Sequence, residues 1–228
     1  MNVLAPVPED AFAEIVAELE RQPIPINEYR KTSGTGRSAA FGFVNKRCQD
    51  PDVSRLCWKR AKLYKLLLDF GQRYVPMPFT SITVNQDYAA APHRDKGNKG
   101  MSYLVAFGAY QGGQLRIHDG DCSGTYDIRH QPILFDGMAL THSVLPFEGH
   151  RYSLVYYNLA KDSPKKLSQY QPIELPRGWA LEYTDVEGKS HILKGNQGLP
   201  HPLRGRSSKE ATAQPSPFFE VVGHDGAA

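Results

Sequence analysis

At 228 residues the chain is long enough for one full-sized core, and its 40% hydrophobic and 22% charged fractions are those of a soluble globular protein. A net charge of +3 permits a phosphate-bearing partner without demanding one. No apolar run approaches the ~20 residues needed to span a bilayer, and the first ten residues lack a basic region followed by an apolar stretch. Three widely spaced cysteines (Cys48, Cys57, Cys122) without a CxxC argue against a disulfide framework or zinc knuckle. The expected setting is intracellular, nucleus or cytoplasm, with no membrane.

Residues 8–22 read as a helix, with proline and acids in the first turn and Phe12, Ile15, Val16 and Leu19 on one face. Residues 52–72 read as a second helix, with Leu56, Leu63, Leu67 and Phe70 inward and Arg55, Lys59, Arg60, Lys62 and Lys65 outward. That basic face is either a solvated surface or one that meets nucleic acid.

From residue 79 the period becomes alternating. Strands are expected at 79–86, 101–108, 114–118, 125–129, 132–135, 139–144 and 151–159, with turns at Gly97-Asn98, Gly112-Gly113, Asp119-Gly120-Asp121, Asp136-Gly137 and Glu148-Gly149. Helices followed by short strands, without βαβ alternation, predict a mainly β protein. Its expected form is a double-stranded β-helix (jelly roll) with a core at about 77–160, buttressed by the N-terminal helices. A further hairpin is expected within 172–194. A single domain is expected over 1–200, followed by a flexible tail at 201–228, rich in Gly, Ser, Pro and Ala.

The chemistry concentrates in Ala91-Pro-His-Arg-Asp-Lys-Gly-Asn98, which holds the chain's single His-x-Asp. In an extended segment His93 and Asp95 project to one side and can grip one ion. His142, near the end of a later strand, supplies a second imidazole. Two histidines and a carboxylate leave three open positions on an octahedral metal, an arrangement suited to non-haem Fe(II). Arg151 and Ser153 share a face of the next strand, and the intervening Pro146-Phe-Glu-Gly149 reads as a hairpin turn that would set His142 near Ser153. An arginine fork and a hydroxyl beside the metal make a carboxylate clamp. The alternative for Arg151 is an ion pair with a neighbouring acid.

In that order, His93–Asp95, His142 and Arg151–Ser153 resemble the signature of the Fe(II)/2-oxoglutarate-dependent dioxygenases. The resemblance covers about residues 77–160. It implies Fe(II), 2-oxoglutarate and O2, with release of succinate and CO2 and hydroxylation of a C–H bond. Within the superfamily, His93-Arg-Asp-Lys-Gly-Asn98, Gly112-Gly-Gln-Leu115 and the stretch from His142 to Tyr156 are similar to the TET/JBP branch, which oxidises the C5-methyl group of pyrimidines in nucleic acid. That similarity implies a base contact for Asn98, whose other expected role is to cap a turn. Leu159 departs from the branch, which has a base-reading histidine there, so thymine stands beside 5-methylcytosine as a substrate. A protein side chain or a small molecule is the alternative substrate class, and an inactive binding module the third reading.

Asn85 is expected either to touch the cosubstrate's C1 carboxylate or to satisfy a buried backbone group. Tyr103 and Tyr157 are expected as pocket lining or as core, and the remaining histidines as surface groups.

Overall fold

The structure is a computed structural model that describes residues 1–26, 34–45 and 52–160, together with the backbone of four strands at 171–175, 178–184, 190–195 and 219–223. In chain order the elements are β1 (Asn2–Val3), a 3-10 turn (Glu9–Phe12), α1 (Ala13–Arg21), β2 (Gly34–Val44), β3 (Asp52–Val53), α2 (Leu56–Lys59) and α3 (Ala61–Tyr74). The barrel strands follow: β4 (Ser81–Ala90), β5 (Asn98–Phe107), β6 (Tyr110–Gly112), β7 (Leu115–Ile117), β8 (Gly124–Tyr126), β9 (Ile133–Phe135), β10 (His142–Val144), β11 (Phe147–Gly149) and β12 (Tyr152–Leu159). Last come β13 (Gln171–Leu175), β14 (Gly178–Thr184), β15 (Ser190–Gly195) and β16 (Phe219–Gly223).

Seven strands form the major sheet, in the order β1-β9-β5-β12-β4-β2-β3. The minor side consists of β10-β7-β8 and the pair β11-β6, while β13 to β16 make a separate four-stranded sheet. The protein is mainly β, a jelly roll with helices on one side. The period of two explains the layering. Along β12, Tyr152, Leu154 and Tyr156 enter the core shared with the helices, while Ser153, Val155 and Tyr157 line a cavity on the opposite face. On the helical side Phe12 stacks on Phe107 at 4.5 Å, and the Tyr156 hydroxyl donates to the Leu67 carbonyl at 2.7 Å. A second core joins Leu104, Ala106, Ile133 and Phe135 of the major sheet to Leu115 and Ile117 of β7.

Two expectations change. The helix expected over 52–72 is broken: Asp52–Val53 pairs with β2, and Arg60 leaves helical geometry at φ −128°, ψ 47°. Arg60 is 6% exposed rather than outward, because its guanidinium turns in to the Glu18 carbonyl at 3.3 Å and lies 3.8 Å from the Glu18 carboxylate. The second change concerns Phe147–Gly149, which is a strand paired with β6. It lies between β10, paired with β7, and β12, paired with β4 and β5, so β10 and β12 belong to different sheets and form no hairpin. Tyr103, expected as pocket lining or as core, belongs to the helix-side core. The 11-residue β2 was not expected at all. The hairpin region 172–194 contains most of β13, all of β14 and most of β15, and 201–228 contains β16, paired with β15; the rest of both stretches lies outside the described residues. No helix among the described residues is long and apolar enough to cross a membrane.

Candidate metal centre and carboxylate clamp

His93 and Asp95 follow β4 in an extended segment that runs beside the start of β10. Their backbone is fixed by reciprocal bonds, His93 N–H to the His142 carbonyl at 3.0 Å and His142 N–H to the His93 carbonyl at 2.9 Å, and by Asp95 N–H to the Gly137 carbonyl at 2.8 Å. Residues 49 positions apart thereby share one bridge.

Each imidazole has its Nδ1 against a carbonyl, His93 on Ala91 at 2.7 Å and His142 on Leu140 at 2.9 Å. A carbonyl can only accept, so the proton sits on Nδ1 and each Nε2 carries the lone pair that a metal would take. Both Nε2 atoms face Asp95: His93 at 3.5 Å from Oδ1 and His142 at 3.7 Å from Oδ2. The three side chains place one ligand atom apiece within 4.8 Å of one another. Burial lowers the pKa of His142, with the Leu140 carbonyl and Asp95 opposing, which favours the neutral ring that a metal needs. A divalent ion fits this donor set.

Gly137 crowds the same point. A Cβ there would lie 2.7 Å from Asp95 Oδ2 and 3.5 Å from His142 Cε1. Asn98, 8% exposed, donates from Nδ2 to Asp95 Oδ2 at 3.3 Å, and its N–H closes a turn onto the Asp95 carbonyl. The backbone N–H thus closes the turn, while the side-chain amide contacts the carboxylate.

The cavity beside the triad holds about 510 Å³, within the range of small-molecule sites. Arg151 lies in its wall, 2% exposed. Its Nε donates to the Gly113 carbonyl at 3.1 Å, and its guanidinium carbon sits 5.5 Å from the Tyr110 ring and 5.8 Å from Phe147. Its Nη2 is buried without a hydrogen-bond partner, and among the described residues no ion pair engages it. Desolvation lowers its pKa. A buried cation with a free donor is suited to an anionic ligand. Gly113, at φ +68°, makes room: a Cβ would meet Arg151 Cδ at 2.8 Å. The Gly112-Gly113 pair therefore serves the arginine as well as the turn.

Ser153, 3% exposed, stands opposite Asn85 in the ladder and accepts its Nδ2 at 3.1 Å. With one lone pair engaged, the serine hydroxyl proton is free to donate into the cavity. The Asn85 amide thus goes to Ser153, not to a backbone group. Tyr157 lines the cavity and accepts from Thr83 at 3.3 Å. Leu159 also lines it, paired with Asn98. One feature escaped sequence reasoning: Asp119, whose carboxyl is pulled down to about 2 by the Thr141 hydroxyl and Arg94.

No protein-family model and no curated protein matches the chain. Among solved structures it is similar to NgTET1 in complex with 5mC DNA, with a TM-score of 0.47 and 18% identity over 68% of this chain and 69% of that one. It is also similar to a prolyl-4-hydroxylase from Pseudomonas putida, with a TM-score of 0.45 and 17% identity over 71% and 92%. An oxidoreductase of the 2OG-Fe(II) oxygenase family from Burkholderia pseudomallei has a TM-score of 0.44 and 20% identity over 64% and 76%.

Proposed function

We propose that the protein is an Fe(II)- and 2-oxoglutarate-dependent dioxygenase that oxidises a C5-methyl pyrimidine, 5-methylcytosine or thymine, in nucleic acid. The observation that carries the dioxygenase reading is the Arg151 guanidinium, buried beside a convergent His-Asp-His set with Nη2 unpartnered. A metal site alone would not need a buried cation, and Arg151, unlike the buried Arg60 with the Glu18 carboxylate 3.8 Å away, has no carboxylate partner among the described residues.

His93, Asp95 and His142 would hold the iron through Nε2, a carboxylate oxygen and Nε2. Arg151 and Ser153 would receive the distal carboxylate of 2-oxoglutarate through charge-assisted bonds. Bound together with O2, iron and 2-oxoglutarate supply oxidative decarboxylation to succinate and CO2 and the oxidation of a substrate C–H bond. The chain's own part is to place ligands and exclude water, and Leu104, Leu115, Phe135, Val144 and Val155 give the cavity apolar walls.

Charge supports the substrate class. Among the described residues lining the cavity, Asp95 is the one carboxylate, and it belongs to the metal set. A cationic substrate group would meet no counter-charge there, whereas exposed Lys96 at the rim favours an anion such as a nucleic-acid phosphate. The helical basic face lies behind the major sheet, where Lys62 pairs with Glu18 and Lys65 with Asp69, so it serves this cavity poorly. The resemblance to the TET/JBP branch supplies the methylated pyrimidine.

The test is incubation with Fe(II), 2-oxoglutarate and methylated or unmethylated oligonucleotides, following succinate and base oxidation by mass spectrometry. Stimulation by methylated oligonucleotide with base oxidation is expected. Turnover that responds to peptides or amino acids but never to nucleic acid would overturn the substrate assignment.

A further inference from the structure

Arg94 stands between two of the candidate ligands, and the alternation that sends His93 and Asp95 inward sends its side chain outward. There its Nε donates to Thr141 Oγ1 at 3.0 Å and its Nη2 to Asp119 Oδ2 at 2.6 Å. Asp119, just past β7, closes the circuit: its Oδ1 accepts the Thr141 N–H and its Oδ2 the Thr141 hydroxyl, both at 2.7 Å. Thr141 immediately precedes His142. We infer that Asp119 is a positioning residue for the metal centre, fixing the His93–Asp95 segment against the His142 strand through Arg94 and Thr141.

The inference rests on the metal reading of the triad. Among the described residues the backbone ties the two ligand-bearing segments by one reciprocal pair of bonds and by Asp95 N–H on the Gly137 carbonyl, and none of these bonds restrains the side chains of Arg94 and Thr141. The brace adds a side-chain restraint by linking neighbours of both ligand sets. Its effect should appear in metal affinity more than in stability. Arg94 and Asp119 side chains are 47% and 36% exposed, and ion pairs of that exposure add little to folding, whereas loss of partners that orient ligands costs about 10- to 100-fold in metal affinity.

Co(II) titration, read by its visible ligand-field bands, tests this on the full chain with Asp119→Asn, Thr141→Val and Asp69→Asn. Asp69 forms a similarly exposed pair with Lys65 at 2.6 Å, away from the triad, and serves as control. Asp119→Asn is expected to raise the Co(II) Kd at least about tenfold and alter the bands, Thr141→Val to raise it severalfold, and Asp69→Asn to change neither. Apo melting temperatures should stay near wild type. Wild-type Kd and spectrum in Asp119→Asn overturn the brace. If that variant does not fold, an unchanged Kd in Thr141→Val overturns it instead. A wild-type protein that takes up no Co(II) defeats the metal reading itself, an outcome separate from failure of the brace.

Discussion

Asn98 holds Asp95 twice, through its backbone N–H on the Asp95 carbonyl at 2.9 Å and through Nδ2 on Asp95 Oδ2 at 3.3 Å. A carboxylate so restrained has one oxygen occupied, which favours metal binding through the other. Asn98→Ala should therefore weaken Co(II) or Mn(II) binding about tenfold even without substrate. The amide oxygen accepts no bond among the described residues, so a base contact remains open to it. Metal titration and oligonucleotide KM separate the two roles: unchanged metal affinity with a raised KM would make Asn98 a substrate residue alone.

Gly137 gives a steric prediction. The added methyl of Gly137→Ala would press on Asp95 Oδ2 at 2.7 Å, with His142 Cε1 in ordinary contact at 3.5 Å, displacing the carboxylate from the imidazoles. Metal affinity should fall by more than tenfold while circular dichroism of the apo protein stays native. Retained affinity would show that Asp95 is not pinned at this point.

The layout of the barrel was legible because its strands alternate: β4, β5, β9 and β12 all lie where period-two runs of branched and aromatic residues stand. Missing β2 has a physical cause, since Gly34, Gly36, Ser38, Ala39, Ala40 and Gly42 carry little strand propensity, and pairing with β4 holds them extended. The helical break at Arg60 was hidden because a buried arginine is indistinguishable in sequence from an outward one until Glu18 is placed against it. His93, Asp95 and His142 could be read from spacing and strand direction. Asp119 could not, since its only mark was an acidic turn, and its partners are set by tertiary contact with residues 22 and 25 positions away.

Glu18 predicts an acid dependence of stability. Its carboxylate side chain is 3% exposed and is met by Arg21 at 2.6 Å, Lys62 at 3.6 Å and the buried Arg60 at 3.8 Å. The Arg21 hydrogen bond, helped by the charges of Arg21, Lys62 and Arg60 and opposed by burial, holds its pKa below the ordinary 4.5. A depressed folded-state pKa means the contribution is complete above the ordinary carboxylate range and is lost as pH falls through the folded value. Glu18→Gln leaves Arg60 buried without its counter-charge and should cost roughly 3 kcal/mol at neutral pH. The variant should also show a flatter fall in stability below pH 5. Urea melts from pH 3 to 7 check both, and a parallel pH profile in the variant would remove Glu18 as the cause.

Arg151 ties stability to the cosubstrate. In the free protein its guanidinium is buried with no carboxylate in reach among the described residues, held by Gly113 and the Tyr110 and Phe147 rings. A dicarboxylate that satisfies Nη2 should raise the melting temperature strongly, since saturation at 100 times Kd contributes about 2.7 kcal/mol. Arg151→Met removes an uncompensated charge along with the hydrogen bond to Gly113, so the apo melting temperature should move little while the shift with 2-oxoglutarate disappears. Arg151→Lys keeps the charge but not the planar fork and should raise the 2-oxoglutarate KM about tenfold or more. For wild type, 2-oxobutyrate, which lacks the distal carboxylate, should produce only a small shift. A full 2-oxoglutarate shift in Arg151→Met, measured by calorimetry with a redox-inert divalent metal present, would place the cosubstrate carboxylate elsewhere in the cavity.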